Sequence, residues 1–113
     1  MSSQGIDPPL TVAVAATATP MATFDTSSTQ ILTVQVTNTD AVQTLDCTVQ
    51  RRASLLEDFA DTTMPDLMGI AALGTAAVDL DCGGNVEFRI SGIASGAGLD
   101  ATICARDKPR SSR

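Results

Sequence analysis

The chain has 113 residues, of which 13 are acidic, 7 are basic and none is histidine, giving a formal charge of −6. This length suits one domain with a modest core. Without histidine, neither a Ser-His-Asp nor a Cys-His nucleophile can be assembled, and a catalytic zinc loses its commonest ligand. The acidic balance argues against a nucleic-acid-binding face.

Hydrophobic residues make up 43% of the chain, an ordinary globular share, but much of it is alanine, and phenylalanine is the only aromatic type. Alanine buries little area, so the core is expected to be thin and to rest on Leu, Ile and Val. Such a core calls for a supplement: disulfides, a metal or a partner subunit. The three cysteines, Cys47, Cys82 and Cys104, cannot all pair within one chain, and no CxxC occurs. The opening MSSQGIDPPL shows neither a basic n-region nor an apolar core, and no run reaches the length of a membrane helix. The expectation is a protein made in a reducing cytoplasm with free thiols, with no membrane partner and with an oligomer as its supplement.

In chain order, residues 1–9 hold Pro8-Pro9 and read as an extended arm. A single domain is expected over 10–107. Leu10, Val12 and Val14 alternate with polar or small residues, which predicts a strand with one buried face. Residues 17–29 read as a Thr/Ser-rich connection with Met21 and Phe24 as anchors. A second strand is expected over 30–37, with Leu32, Val34 and Val36 inward, followed by turn residues Asn38-Thr39-Asp40. A third is expected over 42–52, with Leu45, Cys47 and Val49 inward. Residues 53–75 fit neither period and read as a long crossover with at most one short element. Val78, Leu80 and Cys82 then share a face, Gly83-Gly84 signals a hairpin, and Val86, Phe88 and Ile90 follow. Residues 92–98 read as a glycine-rich hairpin loop. The last strand puts Leu99, Ala101, Ile103 and Ala105 inward and Cys104 outward. The result is an all-β chain: an antiparallel β-sandwich, Ig-like or jelly-roll, of six to eight strands.

Basic residues are unevenly placed. Up to residue 105 they are Arg51, Arg52 and Arg89, whereas Arg106, Lys108, Arg110 and Arg113 gather at the end, beside Asp107. Residues 108–113 thus form a basic tail, either solvated or laid on an acidic neighbour. The apolar stretch with Met64, Leu67, Met68, Ile70 and Leu73 reads either as a strap over the sandwich or as a contact with another subunit. Asp79, Asp81 and Glu87 are the densest set of oxygen ligands, but their spacing lacks the glycine position, the closing glutamate and the flanking helices of an EF-hand. Glu57, Asp58 and Asp61 could pair for acid–base work, yet no Trp or Tyr offers a sugar platform. No phosphate-binding glycine motif occurs. The reading assigns no catalytic residue, no metal ligand and no cofactor.

Three segments, TVQVTNTDAVQTLDCTVQRR, VDLDCGGNVEFRISG and SGAGLDATICARD, give the chain a texture that resembles the small β-sandwich virion proteins of tailed bacteriophages, over roughly residues 10–107. Within that class it is similar to capsid decoration, or cement, proteins. The resemblance implies a structural protein that stabilises an assembled head, often as a homotrimer on the major capsid protein, located on the virion surface after synthesis in the host cytoplasm. No nucleic-acid partner is expected, because of the acidic balance. A tail, connector or fibre-associated virion component is the alternative, and a surface adhesion module a further one. On this reading Met64, Leu67, Met68, Ile70, Leu73, Arg106, Lys108, Arg110 and Arg113 are the interface candidates.

Overall fold

The computed structural model describes residues 6–26, 31–62, 67–82 and 86–107. Eight strands follow one another: β1 (Ile6–Ala15), β2 (Thr19–Asp25), β3 (Ile31–Asn38), β4 (Leu45–Arg52), β5 (Ala60–Thr62), β6 (Thr75–Asp81), β7 (Glu87–Ala94) and β8 (Gly98–Asp107). They form two antiparallel four-stranded sheets, in the orders β1-β8-β3-β6 and β2-β7-β4-β5. The first strand pairs with the last, the second with the seventh, the third with the sixth and the fourth with the fifth. A long antiparallel ribbon rolled into two sheets gives this order, so of the two sandwich topologies expected the chain adopts the jelly roll.

Alternation in the sequence decides which side chains enter the core. Leu32, Val34 and Val36 from β3, Leu45, Cys47 and Val49 from β4, and Ala101 and Ile103 from β8 are all essentially sealed from water. Val78, Leu80, Phe88 and Ile90 complete the two inner faces, as their period of two predicts. The core is thin where Ala94, Ala101 and Ala105 line it. At Gly92 it is thinner still: a Cβ there would lie 2.8 Å from Met21 Sδ and 3.2 Å from Leu45 Cδ1. Gly92 is thus a packing position inside β7 and not the start of a turn.

Several expectations need correction. Residues 17–29 contain a full strand, β2, whose buried Met21 and Phe24 are three residues apart because the pairing with β7 shifts register between Pro20 and Ala22. That bulge hides the period of two. Strand β1 begins at Ile6 and not at Leu10, so residues 6–9 belong to the sheet. Its register shifts between Ile6 and Leu10, where Pro8-Pro9 fall on an edge strand that tolerates proline. Strand β4 starts at Leu45, because Asp40 turns the chain through Val42 and Gln43. Neither glycine-rich link closes a hairpin. Strands β6 and β7 lie in different sheets, as do β7 and β8, so both links cross the sandwich. Gly83-Gly84 themselves lie outside the described residues.

Consecutive strands run up and down, so the loops gather at two opposite ends. One end collects residues 16–18, 39–44, 67–74 and 95–97, tied by Asn38 N–H to Gly74 O and Ser95 N–H to Thr44 O. The other collects residues 53–59, Thr26 and Val86, where Thr26 N–H donates to Val86 O and Val86 N–H to Arg52 O, and the outer ends of β1 and β8, where Ile6 faces Ala105. The two are called here the β3–β4 end and the β4–β5 end.

Candidate functional site

At the β3–β4 end, buried Asn38 is the hub. Its Nδ2 donates to Gln43 O at 2.7 Å and reaches Ile70 O at 3.2 Å and Ala71 O at 3.3 Å. Its Oδ1 accepts from Asp40 N–H at 2.9 Å. Asp40 Oδ2 accepts from the N–H groups of Gln43 and Val42, which hold its carboxyl below the usual carboxylate range. Gln43 reaches the other way: Nε2 donates to Gly98 O at 2.6 Å and Oε1 accepts from Gly96 N–H at 2.8 Å. Leu45 and Ile70 exchange backbone hydrogen bonds. Three loops are thereby fastened into one frame.

This frame exposes apolar side chains. Val42 is 84% exposed and Leu73 68%. Leu73 closes a turn in which Gly74 N–H donates to Ala71 O, and it does so at φ +60°, a left-handed conformation disfavoured for a bulky side chain. Of the interface candidates, Leu67 and Ile70 are buried in the chain's own core, 0% and 5% exposed, so they serve as a strap and offer no surface. Met68 and Leu73 are exposed. Met64 lies outside the described residues.

At the β4–β5 end the loop tip is Leu55-Leu56, and Leu56 is 94% exposed. The tip is a tight turn: Ser54 Oγ accepts from Leu56 N–H and Ser54 O from Glu57 N–H. Behind it, Arg52 forms an ion pair with Glu87 and its Nη1 points to the carbonyls of Leu55 and Glu57. The Phe59 ring lies between two guanidinium groups, Arg52 Cζ at 4.5 Å and Arg89 Cζ at 4.2 Å from its centroid. Arg89 Nε donates to Gln50 Oε1 at 2.7 Å, and Gln50 Nε2 donates to Asp61 Oδ1 at 2.8 Å. Of these, Gln50, Asp61 and Arg89 line a groove of about 330 Å³ on the outer face of the β2-β7-β4-β5 sheet, with Thr48, Ser91 and Ile93.

The structure separates what the sequence put together. Asp79 and Asp81 belong to one sheet and Glu87 to the other, where it pairs with Arg52, so the three carboxylates do not converge. Asp79 Oδ1 accepts from Thr33 Oγ1 at 2.7 Å. Among the described residues no group of three or more His, Cys, Asp or Glu side chains could hold a metal ion. Asp61 is engaged with Gln50, and Glu57 and Asp58 are exposed. Cys47 and Cys82 are buried and in no disulfide, and burial, with Asp46 adding to it, pushes Cys47 up to about 12. Cys104 faces outward, partly covered. Arg106 stands exposed on β8 opposite Thr33, and Lys108, Arg110 and Arg113 lie outside the described residues. Strand β8 reaches Asp107 at the β4–β5 end, away from Met68 and Leu73.

The Asn38–Gln43 frame and the Arg52–Phe59–Arg89 stack were not foreseen. The first had a local signal, the run Asn38-Thr39-Asp40 with Gln43 close behind; the second joins residues that only the pairing of β4 with β7 brings together. Comparison with protein-family models and with curated proteins returns no match.

Proposed function

We propose that this chain is a structural virion protein, a decoration or cement subunit on the head of a tailed phage, working as a homo-oligomer with a trimer favoured. The observation that carries the reading is the exposure of apolar side chains on loops that are themselves rigidly fastened: Leu55 and Leu56 at one end, Val42 and Leu73 at the other. Exposed apolar tips on a fixed frame suit docking onto a preformed surface without an ordering cost. Burying one leucine side chain contributes only about 2 kcal/mol, so attachment by a few such contacts needs many copies on a repeating lattice. The jelly roll is also an architecture of viral coat domains, an analogy at the level of the fold.

On this reading the basic run of Arg106, Lys108, Arg110 and Arg113 meets acidic groups of a neighbouring subunit. The test is co-sedimentation of the purified protein with capsids that lack it, at low and high salt. Saturable binding to heads, weakened by Leu56→Asp and, in a salt-sensitive way, by deletion of residues 108–113, is expected. Binding to tail particles alone moves the assignment to the tail or connector class. Binding to neither, with binding to a cell surface, moves it to the adhesion class.

A further inference from the structure

A two-sheet sandwich has four edges, and three of these carry a device against further pairing. Strand β5 spans only Ala60–Thr62. Strand β2 holds Pro20 and a register shift. Strand β6 carries two acidic residues, Asp79 and Asp81. Short strands, prolines, bulges and charges are the usual protections of an open edge. Strand β1 differs. Its first part is shielded by Pro8-Pro9 and a register shift, but from Leu10 to Ala15 it carries no charge, no proline and no shift. In this acidic chain, that window is the stretch of edge where two copies repel least.

The direction of the backbone can be worked out. Val14 O faces β8, since a Cβ on Gly98 would lie 3.3 Å from it. Residues Leu10, Val12 and Val14 thus turn their N–H and C=O groups to β8, and Thr11, Ala13 and Ala15 turn theirs outward. The outward N–H of Ala15 is already taken by Thr19 Oγ1 at 3.0 Å. Among the described residues, that leaves Thr11 and Ala13 as the open positions. Both are exposed, and Leu10, with its side chain on the core-facing side, is still 47% exposed.

We propose that this edge pairs antiparallel with the same edge of a second copy, about a two-fold axis at Val12. Residues opposite one another must point to the same side of a sheet. A two-fold at Val12 satisfies this: Thr11 faces the other copy's residue 13, and Leu10 faces its residue 14. The Thr11–Ala13 pairs then exchange N–H···O=C bonds on both sides of the axis, and the Ala15 bond to Thr19 survives. A two-fold at Ala13 would instead break that bond. The two β1-β8-β3-β6 sheets become one sheet of twice the width, and Leu10 gains cover. The contact is isologous and closes as a pair, separate from any threefold contact on a capsid.

The test needs no capsid, so its failure is distinct from failure of the head assignment. Sedimentation of the full chain is expected to show a two-chain species. Ala13→Pro removes an outward N–H and spares the β8 ladder, so it should give a monomer with unchanged circular dichroism. The double variant Thr11→Lys/Ala13→Lys sets like charges opposite each other and should do the same. In a Cys104→Ser background, Val12→Cys should cross-link to a dimer on mild oxidation, because a non-hydrogen-bonded pair brings Cα atoms to about 4.5 Å, within disulfide reach. Ala13→Cys cross-linking in preference to Val12→Cys would overturn the register. A monomer at high concentration, or an oligomer indifferent to both edge variants, would overturn the proposal.

Discussion

The two ends of the sandwich solve one problem by different means. Each must hold a loop stiff while its tip offers apolar side chains to water. The β3–β4 end does so with uncharged amides: Asn38 and Gln43 tie three loops through backbone partners, and Asn38 is fully buried. The β4–β5 end does so near the surface, with the Arg52–Glu87 pair, the two guanidinium groups on Phe59 and the Ser54 turn. A buried amide hub is costly to break, because its partners have no water to turn to. A charged stack that solvent partly reaches, with Arg52 22% and Glu87 20% exposed, is cheaper to break, because water replaces part of what is lost. The ends should therefore differ in sensitivity although both sets of loops are fastened by hydrogen bonds.

The sharpest way to break that contrast is Asn38→Ala. It leaves Gln43 O and Asp40 N–H without their partner, while Ile70 O and Ala71 O keep the N–H groups of Leu45 and Gly74. The expected cost is about 3 kcal/mol, or roughly a 10 °C fall in melting temperature for a domain of this size. Phe59→Ala at the other end removes both cation–π contacts and part of a loop anchor, and should cost only about 1.5 kcal/mol in urea unfolding. Equal losses at the two sites would refute the asymmetry.

A third substitution should act in the opposite direction. Leu73 sits at φ +60°, where glycine is at ease and leucine is strained. Its side chain is mostly in water, so truncation forfeits little packing. Leu73→Gly is expected to stabilise the fold by up to about 1 kcal/mol, net of the extra freedom glycine brings to the unfolded chain. Leu73→Ala keeps the strain and should stay within about 0.5 kcal/mol of the parent. If Leu73→Gly also weakens attachment in the capsid assay, the strained turn trades stability for function; if it destabilises, the turn carries packing that its exposure hides.

The contrast also marks where the sequence could be read. The inner faces were legible because hydrophobic alternation is a local signal: residues 32, 34 and 36, then 45, 47 and 49, then 99, 101, 103 and 105 all point inward as their spacing requires. Pairing was not legible. Cys82-Gly83-Gly84-Asn85 looks the same whether the chain doubles back or crosses to the other sheet, since glycine permits both. Strand β2 escaped because a bulge breaks its period. The apolar stretch around Leu67 to Leu73 reads from sequence as either a strap or a subunit contact, but the Leu45–Ile70 bridge divides it, burying two members and exposing two. Both end frames depend on partners brought together by topology, such as Gln43 with Gly98 or Arg52 with Glu87, and no local pattern announces those.

The smallest effect expected is a pH dependence confined to the β3–β4 end. Asp40 accepts N–H bonds from Gln43 first and Val42 second, and these lower its pKa from the ordinary 3.8. A carboxyl whose folded pKa is depressed contributes stability that is complete above its unfolded value and is lost as pH falls through its folded value. The turn should thus be unaffected from neutral pH down to about 4, then loosen below that as the carboxyl takes a proton and the acceptor weakens. Asp40→Asn keeps an acceptor oxygen but cannot titrate. It should be slightly less stable than the parent at neutral pH, and the gap should close as pH drops below the folded pKa. Melting temperatures of the two proteins, measured in steps from pH 6 to pH 2, read this directly. A gap that stays constant to pH 2 would mean that the Asp40 turn is held by Asn38 alone. Because Leu73 N–H donates to Asp40 O, the exposed Leu73 turn should loosen over the same acidic range, and amide exchange at residues 42, 43 and 73 is the local readout.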